Sequence, residues 1–189
     1  LIVFITLTSP IKADLNKNLI NELKKGDKVI YIRHAYAPGG GDPDNFDIND
    51  CDTQRNLNYS GKLQAKNIGN FFKNNEIPIH RVISSEWCRC KETAFLSFNK
   101  FETKNFLNSF YSSKFSKNKI KQIKELKKYI EESQNEGNLV LITHYVVISE
   151  VLGYVPTSGE IIISNKDFKI IGNIKIGYKK IISSKRAMK

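Results

Sequence analysis

With 189 residues, 40% of them hydrophobic, the chain can bury one substantial core, and no shift in composition marks a second domain. Its formal charge of +11 comes from lysines scattered among asparagine, serine and isoleucine, with no concentrated basic stripe and no interleaved stacking aromatics. That pattern argues against a nucleic-acid partner and for a solvated basic surface that draws anionic substrates.

Residues 1–13, LIVFITLTSPIKA, are apolar, too short to span a bilayer, and end in a small residue before Asp14. This is the pattern of the hydrophobic region and cleavage site of a secretory signal peptide. The expected organisation is a signal remnant over 1–13, one domain over 14–180 and a basic tail over 181–189. The expected location is periplasmic or secreted, with no stable membrane insertion once the signal is removed. A buried first strand is the alternative for 1–13.

Leu15, Leu19, Ile20 and Leu23 have helical spacing over 14–25, closed by Gly26. Residues 28–32 read as a buried strand that delivers Arg33 and His34 at its carboxyl end. A polar loop follows over 35–55, with Pro38-Gly39-Gly40-Gly41-Asp42-Pro43 inside it, and loops of this length are often functional lids. Asn58 is placed to cap a helix to about Asn74 whose apolar face carries Leu63, Ile68, Phe71 and Phe72. A short strand over 81–84 leads to Arg89, where a further helix should open. An amphipathic helix over 117–132 precedes a third strand over 138–143, which presents His144. Helix over 146–152 and β-rich runs over 160–164 and 169–176 finish the domain. Alternating strand and helix predicts an α/β fold, a three-layer sandwich with a largely parallel central sheet.

Of thirty basic residues only Arg33, Arg55, Arg81, Arg89 and Arg186 are arginine. A guanidinium fork grips phosphate or carboxylate in a geometry that lysine cannot reproduce, so the arginines kept in a lysine-rich chain single out positions. Arg33 with His34, Arg89, and His144 all fall at strand ends, where ligands bind in open α/β sheets. Two arginines and two histidines make a pocket for a phosphoryl group, in which a neutral imidazole nitrogen could attack phosphorus.

From about Lys28 to Ser164 the chain resembles the histidine phosphatase superfamily, also called the phosphoglycerate-mutase-like or RHG-motif family. The resemblance rests on the strand with Arg33-His34, on Gln54-Arg55-Asn56-Leu57-Asn58-Tyr59-Ser60-Gly61 with Gln64-Ala65, on Ser84-Ser85 through Thr93-Ala94, and on Leu141-Ile142-Thr143-His144. It implies a phosphoglycerate-mutase-like fold and His34 as the nucleophile that becomes phosphohistidine. Arg33, Arg89 and His144 would then bind the phosphoryl group, and Arg55 would touch substrate or brace the loop. It implies neither cofactor nor metal, and a phosphomonoester as substrate, either a small molecule or an envelope-associated one. A phosphate-binding protein without catalysis and a phosphomutase are the alternatives.

The sequence departs from the family pattern where Ala35 and Tyr36 replace the usual glycine and glutamate after Arg-His. Residues 106–111 carry no carboxylate where mutase-type members place the acid, and Tyr145 stands where phytase-like members have aspartate. Candidate general acids are Asp42 and Asp50, with Asp44, Asp47 and Asp52 from the same loop, and Glu160. Small exported bacterial members look like this chain in the loop cysteine, in Trp87-Cys88-Arg89-Cys90 and in Ser158-Gly159-Glu160, which points toward the lipopolysaccharide core heptose phosphatases.

Export would place Cys51, Cys88 and Cys90 where a disulfide persists. Cys51 is expected to be bridged to Cys88, with Cys90 the nearest competitor and three buried thiols the reading without export. No paired metal-ligand spacing supports a zinc site.

Overall fold

The computed structural model describes residues 10–133 and 137–178. Most of the predicted signal segment, residues 1–9, and the whole of the predicted basic tail lie outside the described residues. Helix α1 (Pro10–Lys24) starts four residues ahead of the expected Asp14 and closes at Gly26, whose φ of 78° is left-handed.

Six strands form one sheet in the order β3-β2-β4-β1-β5-β6, from β1 (Val29–Arg33), β2 (Ile79–Ser84), β3 (Glu102–Thr103), β4 (Asn138–Thr143), β5 (Glu160–Ser164) and β6 (Ile170–Lys175). The first four in that order run parallel, while β5 pairs antiparallel with β1 and β6 antiparallel with β5. Both expected late strands therefore belong to the sheet.

The strands β1 and β4 are buried along nearly their whole length, because helices cover both faces of the sheet. Alternate residues go to opposite sides. On one side Ile30, Ile32, Val82, Val140 and Ile142 pack with Leu23 of α1, with Ile68 and Phe72 of α2 (Tyr59–Asn74), and with Ala94 of α3 (Cys88–Phe98). On the other, Val29, Tyr31, Ile83, Leu139 and Leu141 pack with Leu126 and Ile130 of α5 (Lys119–Glu131), and with Val147 and Ile148 of α6 (Tyr145–Leu152). The result is three layers, with each fully buried Leu or Ile contributing on the order of 1.5–3 kcal/mol.

Asn58 caps α2 as its position suggested, its side chain accepting from the Gly61 N–H at 2.9 Å. Asn138, fully buried, donates to the Leu23 and Pro78 carbonyls and accepts from the Lys28 N–H, tying the end of α1 to the sheet. Four short elements were not foreseen: β3, helix α4 (Ser113–Ser116), and 3-10 turns at Cys51–Thr53 and Asn105–Leu107. None is long enough to show a hydrophobic period.

Strand register decides what the fold does next. Arg33 lies opposite Thr143, and Ser84 opposite Ile142, so parallel strands β1, β4 and β2 end at one edge. The ladder runs one step further, with the His34 N–H donating to Thr143 O and the Ser85 N–H to Ile142 O, each at 2.9 Å. His34, His144 and Ser85 are thereby set side by side.

Candidate active site

His34, 2% exposed, places its Nδ1 2.8 Å from the Ala35 carbonyl. A carbonyl only accepts, so Nδ1 carries the proton and Nε2 keeps a lone pair. Arg89 Nε donates toward that nitrogen at 3.3 Å. The following chain is braced to α3, where the Ala35 N–H donates to Thr93 Oγ1 and that hydroxyl donates to Arg89 O. It is braced to α2 by Gln64, which accepts from the Tyr36 N–H. There the helix comes so near that a Cβ on Gly61 would lie 1.9 Å from Tyr36 O.

His144 caps α6 and is also 2% exposed, its ring centroid 5.4 Å from that of His34. Its tautomer follows from a chain of bonds. The Glu86 N–H donates to Asn108 Oδ1 and Asn108 Nδ2 donates to Glu86 Oε2, which fixes the amide. Ser85 then gives its hydroxyl proton to Asn108 Oδ1 at 3.0 Å, leaving its oxygen to accept from His144 Nε2–H, also at 3.0 Å. The lone pair of neutral His144 is thus on Nδ1.

Both imidazoles are held well below the ordinary histidine range, first by burial and then by the Arg89 charge. The unfolded chain takes up protons at both positions below roughly pH 6.5, whereas the native site refuses them. More protons on the unfolded state means that stability falls as pH falls, by about 1.4 kcal/mol per pH unit for each histidine until its native value is reached. Urea midpoints should be level above about pH 7 and decline below roughly pH 6.5, and His34→Asn with His144→Asn should remove that decline. A wild-type midpoint that stays level to about pH 5 would contradict the buried neutral pair.

Arg89, 3% exposed, opens α3 and forms a bidentate ion pair with Asp42 at 2.6 and 3.1 Å. Arg33 donates through Nη1 to Pro156 O at 2.9 Å and stacks 5.2 Å above the Tyr145 ring. Arg55 donates to Ala37 O. The Nε atoms of Arg33 and Arg55 are buried and have no hydrogen-bond partner. These arginines, both histidines and Asp42 line one cavity of about 710 Å³, whose walls include Tyr36, Phe46, Tyr111, Phe115 and Tyr145. Thus Arg33, His34, Arg55, Arg89 and His144 are all brought together.

The candidate acids separate. Asp50 is exposed, with its carboxylate capping the 3-10 turn through the Asp52 N–H, away from the cavity. Glu160 is 1% exposed but turned elsewhere: it accepts from Tyr154 Oη, Asn173 Nδ2, and both Thr157 N–H and Oγ1. Burial raises its pKa, but those bonds prevail and hold it below the ordinary value. It fixes the turn whose Pro156 carbonyl receives Arg33, and neither Asp50 nor Glu160 is brought to the cavity that holds His34. Asp42 does reach the cavity. Burial pushes its pKa up, yet the Arg89 hydrogen bond and charge win and keep it low, so it stands there as a carboxylate. Asp44 lies exposed at the cavity wall, while Asp47 and Asp52 belong to the turn structure of the loop.

The bridge joins Cys51 to Cys88, with Cα atoms 5.7 Å apart, and Cys90 is a buried free thiol pushed up to about 12 by burial. Gln54 reinforces it, donating to Asp47 O and Ile48 O and accepting from the Cys88 N–H. Ser85, Asn108, Gln64 and Gln54 were assigned no role from sequence, although amides and hydroxyls set among apolar neighbours are a usable signal of buried bonding. Among the described residues no group of three or more His, Cys, Asp or Glu could hold a metal ion, and no helix is long and apolar enough to cross a membrane.

No protein-family profile and no curated protein matches the chain. Solved structures do. The protein histidine phosphatase SixA complexed with tungstate is 16% identical, with 80% of this chain and 97% of that one covered and a TM-score of 0.55. An open reading frame product of Mycobacterium tuberculosis is 13% identical over 79% of this chain and 96% of its own, with a TM-score of 0.56. A mutant phosphoserine phosphatase from Entamoeba histolytica in complex with phosphoserine is 14% identical over 72% and 89%, with a TM-score of 0.53. What these establish is architecture: the chain is built on the phosphoglycerate-mutase-like fold of the histidine phosphatases.

Proposed function

We propose that the protein is a phosphomonoester hydrolase acting through a phosphohistidine intermediate, with His34 as nucleophile. The observation that carries this is the state of His34: a neutral ring whose unprotonated Nε2 accepts from the Arg89 Nε–H at 3.3 Å, inside a cavity that holds two further arginines. Nε2 attacks phosphorus, the bond from phosphorus to the leaving oxygen breaks, and the leaving group departs with the electron pair. Water then attacks the phosphohistidine, the P–Nε2 bond breaks with its electron pair returning to Nε2, and of the protons of water one stays on the phosphate and the other is passed through solvent to the departed oxygen, restoring His34. Arg33 and Arg89 stabilise the charge on the transferring group, Arg55 meets substrate at the wall, and His144 joins them as a donor once the arriving anion draws a proton onto its Nδ1.

The carboxylate bonded to Arg89, Asp42, is ionised, so the arrangement suits substrates whose leaving group needs little protonation, such as aryl phosphates or phosphohistidine. The neighbours named for protein-histidine and phosphoserine phosphatase activity are consistent with a phosphorylated substrate. The disulfide supports an oxidising compartment and hence export; the reading taken with it is a small bacterial-type enzyme that acts on a small or envelope-associated phosphoester and needs no metal. One observation favours a second reading, a non-catalytic binder of phosphate ligands: among the described residues no protonated carboxyl group stands beside His34.

The test is a screen of purified protein against p-nitrophenyl phosphate, phosphohistidine peptides, phosphorylated sugars and nucleotides in the presence of chelator. Turnover with an acid-labile phosphoenzyme on His34 is expected. Binding of these compounds without turnover would establish the binder, and loss of turnover on chelation would refute metal independence.

A further inference from the structure

We infer that Asp42 is a positioning residue for Arg89, holding one edge of the guanidinium so that the other edge faces the phosphoryl group at His34. This rests on the reading of His34 as nucleophile. The assignment comes from counting donors. A guanidinium has five N–H bonds. Nη1 directs its two to Asp42 Oδ1 at 2.6 Å and to Arg55 O at 3.3 Å, Nη2 sends one to Asp42 Oδ2 at 3.1 Å, and Nε points at His34 Nε2 at 3.3 Å. One Nη2 hydrogen is left. It lies on the same edge of the guanidinium as Nε–H, and the pair forms a fork turned toward His34. Two oxygens of a phosphoryl group in front of Nε2 would meet that fork.

The carboxylate is equally committed. Oδ1 also accepts the Arg55 N–H at 3.0 Å and Oδ2 the Trp87 Nε1–H at 3.1 Å, so each oxygen has two donors. A substrate that displaced Asp42 would strand both of those donors, and an unpaired buried donor is costly. Asp42 is therefore built to stay. The scaffold agrees: Cys51 ties the loop to Cys88, the residue immediately before Arg89, so the carboxylate and its arginine hang from the same anchor. Asp42 also offsets one of the cationic charges crowded into the cavity, which would otherwise repel one another.

The experiment is a double-mutant cycle with Asp42→Asn and Arg89→Ala, read by inorganic phosphate binding and by hydrolysis of an aryl and an alkyl phosphate. Asp42→Asn should weaken phosphate binding and lower kcat/KM on the order of ten- to a hundredfold, equally for both leaving groups, with an unchanged circular dichroism spectrum supporting an intact fold. In the Arg89→Ala background the same substitution should change nothing further. Asp42→Glu, which keeps the charge but displaces the oxygens, should recover less than full activity. Tighter phosphate binding in Asp42→Asn would make Asp42 a plug that substrate expels, and a loss confined to the alkyl phosphate would make it a proton donor; either overturns positioning. Coupled loss of phosphate binding in a protein with no turnover would uphold positioning and sink the hydrolase reading.

Discussion

Replacing His34 by alanine is expected to lower turnover on the order of 10⁴-fold or more and to remove any acid-labile phosphoenzyme, while leaving the sheet intact. The imidazole is the group the fold has prepared for attack: Nδ1 is occupied by the Ala35 carbonyl, burial excludes a proton, and Nε2 is directed into the cavity beside Arg89. Its backbone N–H still extends the β1 to β4 ladder in the variant, so circular dichroism should not change. Loss of a buried ring also leaves a small void, and for that reason His34→Gln provides the cleaner comparison of activity with stability. Residual hydrolysis within tenfold of wild type in either variant, measured by phosphate release and checked by rapid acid-free trapping of labelled protein, would assign the chemistry to another group.

Arg89→Lys should cost on the order of a hundredfold or more in kcat despite keeping the charge. The reason is the sharing of one plane among several partners: Asp42, Arg55 O and His34 Nε2 are all served by a single guanidinium. An ammonium can satisfy some of these but cannot present parallel donors to a phosphoryl group at the same time. Steady-state kinetics with p-nitrophenyl phosphate decide the matter, since near-normal kcat in the lysine variant would mean that positive charge alone suffices.

Much of this architecture was readable along the chain because it is local. Asn58 announced its helix, β4 and β5 coincide with the apolar runs over 138–143 and 160–164, and His34 and His144 each follow an apolar run. What could not be read is register. Only the pairing of Arg33 with Thr143 and of Ser84 with Ile142 makes three strand ends coincide. Glu160 shows the opposite case, a signal present but read for chemistry. Thr157 and Glu160 have the Thr-x-x-Glu spacing in which a carboxylate reaches back to a backbone N–H, and the structure uses it that way. Asp42 was visible only as a loop aspartate, because its partners Trp87 and Arg89 lie more than forty residues away and the contact is tertiary.

The wall of the cavity has a consequence for how the protein can be watched. Trp87 is the only tryptophan in the chain. Its indole stacks on Phe46 at 5.0 Å, meets His144 edge-on at 5.3 Å and donates to Asp42. Two groups of the site that an arriving anion would disturb, Asp42 and His144, are in contact with that indole, and a protonated imidazole beside it would quench it. Intrinsic emission, with no label attached, therefore reports directly on occupancy of the site.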